Sequence, residues 1–423
     1  MIACVLAGAA LPAQEHEQAG SRMGMVDVTA PAAALMKLAS GTAVNPSTFA
    51  APMIMEHFGL WNTMQMGTAF LADTQQSGPR GGDKLFAPDW FMMSAEHRLG
   101  TRGAFEAELM LSLEPATVTR RRYPELFQTG ETAFGVPIID GQHPHNFIMS
   151  LGVHYVRQAG GNTQVELYFA PVGDPALGPV AYPHRASAAE LPEAPLAHHW
   201  QDSTHIADEV VTLGVAHRWI KLESSGFHGA EPGENRWTIG TGPIDSWSAR
   251  LWFFPSRSWA AQVSGGRLAH PEALESGDQV RTTASLSYSR PFRGTAWSTS
   301  LIWGRNHNTA THRDLNSYLI ESMLPVSSSN LLSVRAERVD KDELFASQPQ
   351  LEKQLDRSSG TTFRVAAYTL GYTRDVRTWR WLQTGIGASF TAYAIPAPIR
   401  PFYGAHPVGG NVFIRVRLRP PSG

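Results

Sequence analysis

The segment Ala104-Phe105-Glu106-Ala107-Glu108-Leu109-Met110-Leu111-Ser112-Leu113-Glu114 alternates without a break. Successive side chains of an extended chain point to opposite faces. Phe105, Ala107, Leu109, Leu111 and Leu113 therefore share one face, and Glu106, Glu108, Met110, Ser112 and Glu114 the other. The run has the ~9–11 residues that carry a tilted strand across a bilayer. The same period returns at 245–253, 279–288 and 330–338, and again at 411–419, where Val412, Ile414, Val416 and Leu418 oppose Arg415, Arg417 and Arg419. Soluble sandwiches alternate as well, so the connections decide the class. Strands read at 62–72, 88–99, 104–113, 145–157, 162–170, 207–218, 219–228, 245–254, 257–266, 279–289, 295–304, 314–324, 329–338, 361–373, 378–393 and 410–419. They are joined alternately by tight turns and by long loops such as 114–144, 171–206 and 339–360. That pattern predicts an all-β fold, a closed antiparallel transmembrane β-barrel of about 16 strands with short periplasmic turns and long extracellular loops.

Composition agrees. The 423 residues include 12 Trp, 19 Phe and 10 Tyr, the net charge is −2 and only 17% of residues are charged. No basic run or RNA-reading motif is present, so nucleic acid is not an expected partner. No charge-free apolar stretch is long enough for a transmembrane helix. Aromatics near strand ends (Trp90, Tyr155, Trp219, Trp237, Trp247, Trp259, Trp297, Trp303, Trp379 and Trp381) read as membrane-interface girdles, with core aromatics of a sandwich as the alternative.

Residues 1–13 read as the end of a signal peptide, which would remove the single cysteine, Cys4, from the mature chain. Residues 14–60 form an N-terminal periplasmic segment or plug, with a short helix over 32–39 and Pro31 at its start, and the barrel occupies 61–423. The expected location is the cell outer membrane, among lipid and lipopolysaccharide, reached through the barrel-assembly machinery. The oligomeric state has no signature in the pattern.

Two residue types are unevenly placed. In Asp140-Gly141-Gln142-His143-Pro144-His145, two imidazoles at i, i+2 and a carboxylate suit a divalent metal, and His198-His199-Trp200-Gln201-Asp202-Ser203-Thr204-His205 is denser still. His184, His228, His270, His307, His312 and His406 belong to the same loop rim. The candidate metal ligands are Asp140, His143, His145, His198, His199, Asp202 and His205; a hydrogen-bonded cap over the barrel mouth is the other reading. Met23, Met25, Met53, Met55, Met64, Met66, Met92 and Met93 crowd the first quarter, near His16 and His57. Met53, Met55, Met64 and Met66 form a softer candidate site suited to Cu(I), with flexible packing as the alternative. Inward-facing Glu106, Glu108, Glu166, Glu223 and Glu337 against Arg250, Arg281, Arg335, Arg364, Arg415 and Arg417 predict a charged lumen, open or plugged.

Several strings are long and specific: 73–81, 112–117, 140–145, 184–187, 198–205 and 245–250. Over roughly residues 50–310 they resemble a family of uncharacterised bacterial outer-membrane β-barrels. Members often accompany copper-handling proteins, so the resemblance implies a connection to a transition metal, copper or zinc, and no catalytic residues. The function expected is an outer-membrane barrel passing or binding small solutes, with transition-metal handling as its sharper form. One alternative is a structural surface barrel with a loop-sealed lumen. The other is an outer-membrane hydrolase using Ser203, Ser150 or Ser187, although neither Gly-x-Ser-x-Gly nor His-Glu-x-x-His occurs.

Overall fold

A computed structural model describes residues 31–348, 350, 351, 353, 355 and 362–419. Residues 1–13, read above as the end of a signal peptide, and with them Cys4, His16, Met23 and Met25, lie outside the described residues. The barrel strands are β1 Trp61–Gln76, β2 Asp89–Leu99, β3 Gly103–Leu111, β4 Ile148–Gly160, β5 Thr163–Gly173, β6 Ala207–His217, β7 Ile220–His228 and β8 Ser246–Ser256. They continue as β9 Trp259–Leu268, β10 Gln279–Phe292, β11 Thr295–Asn308, β12 Asp314–Ser327, β13 Asn330–Lys341, β14 Phe363–Trp379, β15 Leu382–Ala394 and β16 Val408–Leu418.

Each strand pairs antiparallel with its sequence neighbour, and β1 pairs with β16 from Thr68↔Arg417 to Gln76↔Gly409, closing the ring. The sheet contains 18 strands in all. Sixteen go round the barrel, and two short ones, Ile54–Phe58 and Asp83–Phe86, extend pairing along β1 where its longer neighbours stop. Most of the periplasmic part of β1 beyond the reach of β16 is covered by Ile54–Phe58, which pairs with Trp61–Gln65 and shortens the bare edge there to Met66 and Gly67. Tight and long connections alternate as the sequence predicts.

Burial settles what alternation alone left open. Along β16, Val412 and Ile414 are exposed while Asn411, Phe413, Arg415 and Arg417 are buried. Along β13, Val334 is exposed and Ser333, Arg335 and Glu337 are buried. The apolar face is the outer one, the reverse of a soluble sandwich and the requirement of a barrel standing in lipid. Trp247, Trp259, Trp379 and Trp381 are exposed on that surface. Two expectations fail on parity. Trp90 stands on the inward face of β2, packed on His184 with ring centroids 4.3 Å apart, and so does not belong to a girdle. Arg364 lies on the outward parity of β14, between buried Phe363 and Val365, and reaches Asp340 at the outer end.

The lumen is filled. From the periplasmic end, residues 31–53 enter the barrel: helix α1 (Pro31–Leu35) begins at Pro31 and sets Leu35 against Ala104 and Val156. Lys221 Nζ donates to Thr42 O at 3.0 Å and Arg250 Nη2 to Thr42 Oγ1 at 2.9 Å. The helix is shorter than the 32–39 expected, because Leu38 and Val44 form a bridge around a turn with Gly41 at φ 48°. From the extracellular end, the loop between β5 and β6 descends into the barrel and is buried almost throughout. A loop hairpin, Tyr123–Ala133 with Val136–Gln142, lies over it.

Leu370, exposed near the middle of β14, tests which face meets lipid. Leu370→Arg should cost about 2–4 kcal/mol in urea unfolding from vesicles; a variant as stable as the parent would place that face away from hydrocarbon.

Candidate metal centre

A polar loop enters a barrel only where its backbone and charges find partners, and the lumen wall supplies them. Arg185 of the β5–β6 loop pairs with Glu321 on β12 at 2.5 Å and with Asp202 at 2.7 Å. Glu190 receives Arg415, and Arg417 at 2.8 Å, from β16. Arg335 donates to Glu193 O at 3.2 Å, and Lys341 to Leu196 O at 3.1 Å. Arg281 and Asn306 donate to His199 O at 2.7 and 3.1 Å. The inward charges read from the sequence, Arg364 excepted, thus mostly hold the loop or the N-terminal segment in place.

That anchoring brings together His143 and His145 from the loop before β4 with His198, His199 and His205 from the β5–β6 loop. Ring centroids lie 5.5 Å apart for His143–His199, 5.2 Å for His198–His199, 5.2 Å for His198–His205 and 5.4 Å for His145–His205. All five are buried. Asp202 is central: His198 Nδ1 meets its Oδ1 at 2.7 Å, and His205 Nδ1 meets its backbone carbonyl at 2.8 Å. His143 Nδ1 lies 3.2 Å from Pro144 O. With Nδ1–H donated to oxygen on these three rings, Nε2 carries the lone pair. The Nε2 atoms of His143 and His205 and both ring nitrogens of His199 are buried without a hydrogen-bond partner. Glu131 Oε1 is 3.2 Å from His143 Nε2, and Glu231 Oε1 is 3.4 Å from His199 Nδ1, neither oriented as a hydrogen bond.

The rings differ electrostatically. Burial pushes His198 down to about 4 against the opposing pull of Asp202. Burial, reinforced by neighbouring imidazoles, holds His143 and His205 well below the ordinary value. His145 is the exception: burial lowers it, but Glu114, 2.8 Å from Nδ1, outweighs that and holds it above the ordinary value. Neutral imidazoles with aimed lone pairs are what a metal ion requires. Oxygen acceptors on the far nitrogens are the usual support for such ligands. His143, His198 and His199 offer ligand atoms within 4.8 Å of one another, as do His199, Glu231 and Glu272.

Other candidates lie elsewhere. Asp140 stands apart from the cluster: Arg80 Nε lies 2.6 Å from its Oδ2, while Phe127 N and Tyr403 OH donate to its oxygens at 2.8 and 3.2 Å. It adopts φ 55° in the loop hairpin, which it helps order. His228, His270 and His307 pair with Asp245, Asp278 and Asp314 on outer loops and do not converge. Of the softer set, Met64 and Met66 are buried in the lumen, Met53 packs beside them and Met55 is exposed. Ser203 Oγ accepts from Arg281 at 2.9 Å, Ser150 donates to Glu108 and Ser187 to Glu321. Glu114 and Glu131 did not emerge as site residues from the sequence; only the position of Glu114 within the 112–117 string offered a signal. Gly130, at φ 125°, lies so close to the His199 ring that any Cβ would overlap it.

No family model and no curated protein sequence matches the chain. Among solved structures it is similar to OmpF of Salmonella typhi in complex with daunomycin, with a TM-score of 0.52 at 7% identity over 86% of this chain and 100% of that one. The anion-selective porin from Comamonas acidovorans gives 0.49 at 12% identity over 84% and 99%. The outer-membrane channel DcaP of Acinetobacter baumannii gives 0.49 at 7% over 87% and 100%. The likeness to OmpF shows the fold, a porin-like outer-membrane barrel, here with 16 strands round the ring. With its apolar outer face, the barrel belongs in the outer membrane.

Glu321 receives both Arg185 and Arg335 (3.1 Å) in the buried lumen. Glu321→Ala should therefore lower stability by about 3–5 kcal/mol in urea titration and raise single-channel conductance in a planar bilayer by loosening the loop. Unchanged values in both would show that the pairs do not hold it.

Proposed function

We propose that this barrel binds a transition-metal ion, copper first and zinc second, at the histidine cluster in its plugged lumen. It takes the ion up from the extracellular side. The observation that carries the reading is the arrangement of His143, His198 and His205. Each has Nδ1 tied to an oxygen of the chain, and each is left with Nε2 for a ligand. His199 adds two unpartnered nitrogens beside them. Imidazole–metal bonds of ~2.0–2.1 Å would draw the nitrogens of His143, His198 and His199 in from separations of up to 4.8 Å, a movement within reach of side-chain rotation.

The approach to the cluster is rich in carboxyl groups, with Arg313 among them. A cavity of about 270 Å³ among the extracellular loops is lined by Glu131, Glu272, Glu275, Asp342 and Glu343. Glu131 touches His143, and Glu272 belongs to the acid–imidazole group of His199. Burial and mutual repulsion push Glu272 and Glu275 up, so a divalent ion arriving there would displace their protons as it binds.

The filled interior also favours a second reading, a loop-sealed surface barrel whose histidines merely cap the plug. Calorimetry of the refolded barrel with Cu(II) and Zn(II) separates the two. Binding with Kd of about 1 μM or tighter, lost in the His198→Ala/His199→Ala/His205→Ala variant, is the expected result. No heat above background from the folded parent would leave the sealed barrel standing.

A further inference from the structure

Five methionines, Met64, Met66, Met92, Met110 and Met149, are buried on the lumen side of four adjacent strands, β1 to β4. Their register is specific. Met66 lies directly opposite Met92, and Met92 directly opposite Met110, so three thioethers form one row across β1, β2 and β3. Met149 follows on β4 at the irregularity where the pairing shifts between Met110 and Leu111. Directly opposed residues have Cβ atoms ~4.5–5.5 Å apart, and the unbranched thioether arm lets neighbouring sulfurs turn toward one point. Elsewhere the wall mixes charged and hydroxyl side chains such as Glu223, Arg250, Ser264 and Thr283 with apolar ones such as Trp252, Ile302 and Leu319, and no second row of thioethers occurs among the described residues.

The plug brings a nitrogen to this row. His184 Nε2 lies 2.9 Å from Met110 Sδ, and its ring is held against Trp90. The contact is a hydrogen bond between the imidazole and the thioether, and it holds a nitrogen donor beside the sulfur row. A cavity of about 170 Å³ borders Met66, Trp90 and His184, and reaches His145 and Tyr182 beside the imidazole cluster.

We propose that Met66, Met92, Met110 and His184 form a second metal site, for a soft monovalent cation, Cu(I) or Ag(I). Thioether sulfur is a soft donor that favours Cu(I) over harder divalent ions. The site is distinct in residues and in chemistry from the imidazole cluster, and it stands whether or not that cluster binds metal.

The test uses the refolded full-length barrel, with folding of each variant checked by heat-modifiable migration. Cu(I) is offered under anaerobic reducing conditions in competition with a bicinchoninate chelator, and Ag(I) serves as a redox-inert second probe. The parent is expected to withdraw Cu(I) from the chelator and to show sulfur scattering in the X-ray absorption of the bound ion. Met92→Leu/Met110→Leu, which conserves volume, should weaken Cu(I) binding by at least about tenfold and leave any Zn(II) binding as in the parent. The His198→Ala/His199→Ala/His205→Ala variant should keep its Cu(I). A folded parent that leaves Cu(I) with the chelator would overturn the proposal. So would a leucine variant that binds as the parent does, or loss of Cu(I) only in the histidine variant.

Discussion

Backbone hydrogen bonding in a hydrocarbon environment is the constraint from which the rest of this structure descends. An unpaired N–H or C=O facing lipid costs several kcal/mol, so a sheet can stand in a bilayer only if it closes on itself. Closure here runs from Thr68↔Arg417 to Gln76↔Gly409, and the short strand Ile54–Phe58 covers most of the part of β1 that β16 does not reach. Once the ring is shut and its outer face must be apolar, every second residue points inward whether or not a ligand is there to meet it. Polar and charged residues are therefore forced into a closed space.

Those inward charges shape the centre. Arg250, Arg281, Arg335, Lys341, Arg415 and Arg417 line the wall, and each contacts a carbonyl, hydroxyl or carboxylate of the β5–β6 loop or of the N-terminal segment. Burying a cation in this way is tolerable only because its partner is buried with it. Each pair then fixes a point of the loop against a rigid strand. The histidines on that loop inherit this rigidity: His199 is held through its carbonyl by Arg281 and Asn306, and Asp202 is held by Arg185 while it orients His198 and His205.

Strand number, connection lengths and the shared face of the glutamates and arginines could all be read from period-2 alternation and its interruptions, because that signal is local and repeated. What it could not supply was absolute direction. Ala104 to Glu114 reads the same in a sandwich as in a barrel; the alternating connections pointed to the barrel, and burial shows the apolar face outward. Parity near strand ends was also beyond it: Trp90 and Arg364 lie one position from the faces expected of them, because the loop-to-strand junction sets the phase. Of the candidate ligands, the five histidines and Asp202 do meet, whereas Asp140 serves Arg80 and Tyr403 and Met55 faces out. The convergence of Met110 and Met149 with Met66 and Met92 arises from register between strands, and His184 joins them through the path of a plug loop. Neither leaves a trace in spacing along the chain.

The seam between the first strand and the last bears on how such a molecule is made. It joins residues more than three hundred positions apart, the kind of pairing that forms late because the whole intervening chain must first be ordered. The segment 31–53 lies immediately ahead of the strand that forms this seam and finishes inside the ring. If the seam closes last, that segment and the descending loop are enclosed as assembly ends. The open edge that awaits closure would then be the doorway through which the interior is furnished.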